Sequence, residues 1–121
     1  QSLCSVCSVD LGLVQRVAAG LQPPPAVLDL NPQNLQDVLA DVERVGAALG
    51  HAAAGAAAAA RLRERVAAAV ARVPSAAPAT GSGQGPSVAF LEWIAPIFVG
   101  GHWTPQLISM AGGHHPLNPP K

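Results

Sequence analysis

The stretch VAFLEWIAPIFVGGHWTPQLISMAGG, residues 88–113, contains all the phenylalanine and tryptophan of a chain that has no tyrosine. These aromatic residues are Phe90, Trp93, Phe98 and Trp103. SVAFLEW, residues 87–93, has the composition of a buried strand. Residues 103–111 predict a helix, with Pro105 in its first turn and two glycines after its end. The alternation of strand and helix favours an α/β architecture.

Two helices are predicted before this stretch. Asn34 is a candidate N-cap, and apolar residues at helical spacing follow it up to Gly50, which suits the position just after a helix. HAAAGAAAAARLRERVAAAVARV, residues 51–73, carries alanine, the best helix former, at most positions. At about 1.5 Å per residue it would extend roughly 35 Å, which favours a strut along a domain over a member of a compact bundle. AVLDL, residues 26–30, predicts a short strand.

Composition limits what the chain can do. Half of the 121 residues are apolar, but many are alanine, so the large side chains that fill a core are scarce. The formal net charge is zero, which gives no indication of nucleic acid or of an anionic membrane surface as a partner. No strongly apolar run is long enough to predict a membrane-spanning helix. The sequence opens on Gln1 inside an organised motif, and we expect a fragment of a larger protein.

Cys4 and Cys7 form a C-x-x-C motif. They could be a redox pair, half of a metal site or a disulfide. A second C-x-x-C is absent, and the adjacent His114 and His115 do not have the usual zinc-ligand spacing. Small residues in a turn that leads into a helix are an equally good interpretation of the motif. The two histidines are expected in a solvated loop.

Two further features could contact a ligand. Glu92 stands at the end of the predicted strand, where open α/β sheets bind ligands, although an exposed carboxylate near an arginine is the simpler interpretation. His102 and Trp103 follow two glycines at a turn that opens a helix. Glycine lets backbone approach a ligand, and the two rings offer flat faces with polar edges. Trp103 is therefore either part of a binding rim or a plug in the core.

Two segments resemble a known family. Q-x-L-C-x-V-C-S-V at residues 1–9 and V-A-F-L-E-W-I-x-P-x-F-x-G-G-H-W-x-P-Q-L-I-x-x-A-G-G at residues 88–113 are similar to the cobalamin-binding-protein branch of the ABC-transporter substrate-binding proteins. The resemblance implies two Rossmann-like α/β lobes joined by one long backbone helix, with only the middle portion present here. The corresponding segments are the end of the N-terminal lobe (1–50), the backbone helix (51–73), a linker (74–86) and the start of the C-terminal lobe (87–121).

The resemblance also implies a function. A cobalamin or related metal chelate, including an iron–siderophore, would bind between the lobes for delivery to an ABC permease, without catalysis and without an intrinsic cofactor. The implied ligand-contacting residues are Gln1, Cys4, Cys7, Glu92, Trp93, Phe98, His102 and Trp103. The implied location is periplasmic or otherwise extracytoplasmic, and organellar in an alga or plant. Gln106 departs from the acidic residue expected in such relatives, a change that removes a charge.

Two alternatives remain open at this point. One is a metal-binding or redox module that uses Cys4, Cys7 and one of the histidines His102, His114 or His115. The other is a protein that binds neither ligand and uses its long helix as an interaction surface. The sequence contains no Gly-rich phosphate loop, no Ser/His/Asp set and no suitably placed pair of carboxylates, so an enzyme is not predicted.

Overall fold

The computed structural model describes residues 9–73 and 85–118. Within these ranges the order of elements is α1 Leu11–Ala19, α2 Leu35–Ala48, α3 Ala52–Ala71, β1 Leu91–Ile94, β2 Ile97–Val99 and α4 Thr104–Met110. None of the described helices combines the length and the hydropathy that crossing a bilayer requires. The predicted site residues Gln1, Cys4 and Cys7 and most of the predicted linker lie outside the described residues.

Helix α1 follows the Cys motif, as one interpretation of that motif allowed, but its bounds were not predicted although it carries a clear start signal. The side chain of Asp10 accepts a hydrogen bond from the backbone N–H of Leu13, 2.9 Å away, which is the usual N-cap geometry. One side of α1 faces the extended segment 25–27 across an apolar groove of about 500 Å³. Only Ala18 of this helix is buried.

Helix α2 begins and ends where the sequence predicts. The side chain of Asn34 accepts the N–H of Asp37 at 2.9 Å, and the carboxylate of Asp37 accepts the N–H of Gln33 at 2.9 Å. The two bonds satisfy one backbone donor in the first turn of the helix and one just before its N-cap. Beyond the other end, Gly50 has a φ of 75°, a left-handed conformation that favours glycine. The predicted N-cap and the predicted terminal glycine are both confirmed.

Helices α2 and α3 pack side by side through their smallest residues. A Cβ atom added to Gly46 would lie 2.6 Å from the Cα of Gly55, so the two backbones touch at this point. The side chains of Arg63 and Glu43 form an ion pair across the same helices at 2.6 Å. The glycines thus let α3 dock on α2 along its N-terminal half, and its role as a strut along a larger domain stays a prediction.

The described core is small, in line with the scarcity of large side chains in the sequence. The buried apolar residues among those described are Ala18, Leu39 and Ala59. Alanine removes little area from water, so these positions contribute modestly to stability. Leu39 is the one large aliphatic side chain among them.

The β-structure differs from the prediction in three respects. The strand expected over residues 87–93 begins at Leu91, and all of β1 is exposed rather than buried. It pairs antiparallel with β2, which was not predicted, through the turn at Pro96. Residues 26–30 form no strand, because a strand needs a hydrogen-bonding neighbour and none of the described segments supplies one.

The sheet architecture is consequently limited in the described residues. They contain one two-stranded antiparallel sheet, and about half of them are helical. An isolated hairpin is marginally stable in water and needs packing against other elements. The Rossmann-like lobes implied by the family resemblance stay a prediction.

Candidate functional site

The β1–β2 hairpin presents a pair of aromatic side chains on one face. Trp93 and Phe98 are directly opposite each other in the antiparallel register, so their side chains leave the same face of the sheet. Both are exposed, Trp93 by 63% and Phe98 by 53%. We call this pair the aromatic face of the hairpin.

The neighbouring pair leaves the opposite face. Ile94 lies opposite Ile97, and these side chains are 79% and 67% exposed. Because successive side chains on a strand point to opposite faces, this pair is separated from the aromatic face by the hairpin backbone. A small hairpin that exposes large apolar groups on both faces loses much of the hydrophobic stabilisation available to it.

A buried glycine connects the hairpin to α4. The N–H of Gly100 donates to the carbonyl of Phe90 at 2.8 Å, and the side-chain amide of Asn118 donates to the carbonyl of Gly100 at 2.9 Å. A Cβ atom at residue 100 would lie 2.6 Å from Cδ1 of Phe90 and 3.0 Å from Cγ2 of Thr104. Glycine is needed here so that the phenyl ring can pack on the backbone.

His102 and Trp103 form a second aromatic pair just before α4. Their ring centroids are 5.8 Å apart and the rings are tilted by 42°. His102 is exposed and has a φ of 54°, a left-handed conformation that is uncommon outside glycine. Trp103 is half-buried at the N-cap position of α4. One part of the Trp103 side chain is therefore packed in the fold and the other part is exposed. This is intermediate between the two sequence interpretations, a plug in the core and a binding rim.

The structure brings the predicted residues together as two pairs. Trp93 lies opposite Phe98, and His102 contacts Trp103, whereas no ring contact joins the two pairs within the described residues. Glu92 is exposed on β1 and belongs to neither of the ion pairs seen in the described ranges, which are Arg44–Asp41 and Arg63–Glu43. The nearby arginine expected for Glu92 is not seen there.

The C-terminal histidines are not in a solvated loop, which corrects the prediction. His115 is only 2% exposed, and its Nε2 accepts the backbone N–H of Phe90 at 3.3 Å. In the neutral ring the hydrogen then lies on Nδ1, which is buried with no hydrogen-bond partner among the described residues. An unsatisfied buried donor of this kind costs about 1–3 kcal/mol.

His114 also has a structural environment. Its ring nitrogens lie 3.2 Å from the hydroxyl of Ser87 and 3.2 Å from the carbonyl of Gly85. The backbones of Ser87 and His114 form a parallel bridge, with the N–H of Val88 donating to the carbonyl of His114 at 2.8 Å. The histidine thus fastens the segment before β1 to the segment after α4. The described parts of the chain contain no group of three or more His, Cys, Asp or Glu side chains that could hold a metal ion.

Gln106 makes a long-range contact that the sequence did not reveal. Its side chain hydrogen-bonds to the backbone of Leu35 and to the side chain of Gln36, 71 and 70 residues away. The sequence alone showed only that residue 106 carries no charge. No local pattern could have identified the partner, since the contact depends on how α4 lies against α2.

Comparison with known proteins adds no relative. The sequence matches no protein-family model, and neither the curated proteins nor the solved structures contain a match to it.

Proposed function

We propose that this chain forms one wall of a site that captures cobalamin or a related metal chelate, in a substrate-binding protein of ABC-type uptake. The observation that carries the proposal is the exposed Trp93–Phe98 pair on one face of the hairpin. A corrin or similar macrocycle has a broad, mostly apolar face, and aromatic rings cover such a surface at low entropic cost.

The energetic argument supports a ligand on the aromatic face. Covering about 100 Å² of apolar surface stabilises a complex by roughly 2.5 kcal/mol, close to two orders of magnitude in affinity. Trp93 and Phe98, 63% and 53% exposed, are the side chains that a flat ligand would cover in this proposal. The second pair, His102 and Trp103, begins three residues after the end of β2, and in the proposal it forms a further part of the wall.

In the proposed protein, α3 is the backbone helix between two Rossmann-like lobes. Its 20 residues extend about 30 Å, enough to join two lobes and to restrict their relative motion to small angles. A two-stranded hairpin is not a lobe, so the proposal requires further strands elsewhere in the protein to complete the sheet. Release to an ABC permease and an extracytoplasmic location are parts of the same proposal.

The binding function is tested by titrating the protein with cyanocobalamin, following the corrin absorption and the tryptophan fluorescence. We expect saturable quenching at one chelate per chain. Trp93→Ala and Trp103→Ala should each weaken binding about tenfold or more, because each removes apolar contact with the ligand. The matched control is Ile94→Ser, which changes a still more exposed residue on the opposite face and should leave the affinity unchanged.

Two results would overturn the assignment. Absence of cyanocobalamin binding in a protein whose far-UV circular dichroism shows the expected helices would exclude cobalamin, and a ferric siderophore would be titrated next. Binding that is weakened equally by Ile94→Ser and by Trp93→Ala would show that the aromatic face is not the site.

A further inference from the structure

The side chain of Gln106 joins α4 to the start of α2. Its Oε1 accepts the backbone N–H of Leu35 at 2.8 Å, and its Nε2 donates to Oε1 of Gln36 at 2.9 Å. The side-chain amide of Gln106 therefore accepts one hydrogen bond and donates another, both with the first turn of α2. Both distances lie within the normal range for hydrogen bonds between uncharged groups.

The start of α2 offers a backbone donor for this contact. The first N–H groups of any helix lack partners within the helix. Here the side chain of Asn34 takes the N–H of Asp37, and the carboxylate of Asp37 takes the N–H of Gln33. Leu35, the first residue of α2, has its N–H satisfied by Gln106 from another part of the fold.

The position of Gln106 ties this contact to the candidate site. It follows Trp103 by three residues and lies in the first turn of α4, directly after the buried Pro105. Apolar side chains of α4 and of the C-terminal end of α3 also flank an open groove of about 200 Å³, among them Val66, Val70, Leu107 and Met110. Apolar contacts of this kind are not directional, whereas the two hydrogen bonds select one placement of the helix.

We infer that Gln106 is a positioning residue: its amide fixes the start of α4, and with it His102 and Trp103, against the N-terminus of α2. The inference concerns the placement of the second aromatic pair and, in its consequence for affinity, rests on the proposed function. A chelate that bridges the lobes needs its walls at a defined separation. The hydrogen bonds hold that separation before the ligand arrives, which reduces the cost of ordering the site on binding.

The chemistry of the contact predicts a distinctive pattern of variants. Gln106→Glu keeps the acceptor for Leu35, and the amide of Gln36 can rotate to donate to the new carboxylate. Gln36→Glu equally keeps an acceptor for the amide of Gln106. With both changes together, two carboxylates face each other and no donor remains between them. Each single variant should therefore preserve both hydrogen bonds. The double variant keeps only the bond from the N–H of Leu35 and places two carboxylates side by side, which should loosen the contact.

The test measures the distance between α2 and α4 by pulsed electron paramagnetic resonance. Spin labels are attached through Ala47→Cys and Ser109→Cys, both exposed, in the chain that carries Cys4→Ser and Cys7→Ser. We expect a narrow distance distribution that Gln106→Ala broadens, that Gln106→Glu and Gln36→Glu leave narrow, and that the double glutamate variant broadens. Gln33→Ala is the matched control, since the hydrogen bonds of that side chain in the described structure go to Asn31.

Two outcomes would overturn the inference. An unchanged distribution in Gln106→Ala would show that the hydrogen bonds of Gln106 do not place α4. A double glutamate variant as narrow as the two single variants would show that the bond between the two side chains does not contribute to the placement. Far-UV circular dichroism checks that each variant keeps its helices. Any variant that loses them is replaced by Gln106→Met, which keeps the length of the side chain but provides neither hydrogen bond.

Affinity for cyanocobalamin separates this inference from the proposed function. If the chelate binds, Gln106→Ala should weaken binding about two- to tenfold, because the competent placement is less populated, and Gln106→Glu should restore it. If no variant binds the chelate, the proposed function fails while the distance measurements still decide whether Gln106 positions α4.

Discussion

The α2–α3 pair closes its interface with glycine and alanine, whereas the β1–β2 hairpin leaves tryptophan, phenylalanine and isoleucine exposed. In the helix pair, Gly46 and Gly55 bring two backbones into contact, so small residues achieve dense packing without large side chains. In the hairpin, the large residues meet mainly water. A self-contained core buries its large side chains, but here the buried interface holds small residues and the exposed hairpin holds large ones. This arrangement indicates that the hairpin is the part that contacts something else.

The largest expected effect tests whether α2 anchors the helix pair. Leu39 is 7% exposed, and Leu39→Ala should lower the free energy of unfolding by about 2–5 kcal/mol through lost burial and the cavity left behind. Urea unfolding followed by circular dichroism measures this loss. The control is Leu49→Ala at the end of the same helix, where the side chain is 69% exposed and the change should stay within about 0.5 kcal/mol. Equal losses of unfolding free energy in the two variants would show that Leu39 does not belong to a buried core.

The next effect tests the contact between the two glycines. Gly46→Ala should destabilise the fold by about 1–3 kcal/mol, because the new Cβ meets the backbone of Gly55, which cannot rotate away. The gain in helix propensity, about 1 kcal/mol, only partly offsets this. Gly12→Ala in α1 is the control, since its Cβ meets only the side chains of Asp10 and Arg16, and it should be neutral or stabilising. A stabilised Gly46→Ala protein would show that the helices lie further apart.

A smaller effect is expected where the hairpin joins α4. Gly100→Ala places a Cβ 2.6 Å from the ring of Phe90, which can turn aside, so a loss of about 1 kcal/mol is expected. Gly101→Ala is the adjacent control, because its nearest neighbour would be 3.7 Å away. Thermal unfolding of the two variants compares them directly. A larger loss for Gly101→Ala would contradict the packing of Phe90 on Gly100.

The smallest effect on stability is expected on the hairpin itself. Ile94→Ser and Trp93→Ser should each change the free energy of unfolding by no more than about 0.5 kcal/mol, because both side chains are already largely in water. Urea unfolding measures both. A loss of 2 kcal/mol or more in either variant would mean that the face is covered in the folded protein, and the contrast with the helix pair would disappear.

Much of the helical structure was predictable from the sequence. The N-cap at Asn34, the left-handed glycine after α2 and the proline in the first turn of α4 each act through their own backbone neighbourhood. The start signal of α1 at Asp10 had the same local character and was overlooked. Local chemistry decides such features, so a sequence pattern is enough to locate them.

The sequence predictions failed where a structure depends on contacts between residues far apart in the chain. The predicted strand at residues 26–30 has no neighbour to pair with in the described fold, and β1 is exposed because nothing described packs on it. The assignment of the candidate site stays a prediction: Trp93, Phe98 and His102 are exposed, and Trp103 is half-buried. How the two aromatic pairs are arranged was not predictable from spacing along the chain.

Sequence by itself determined where α2, α3 and α4 form, because a helix satisfies its backbone hydrogen bonds within its own segment. It also determined that the aromatic residues are concentrated in residues 88–113. Only the tertiary structure decided that α3 lies against α2, that His115 is buried beside Phe90, and that Gln106 meets Leu35. Each of these depends on residues far apart in the chain, whose contact is set by packing and directional hydrogen bonds rather than by local propensity.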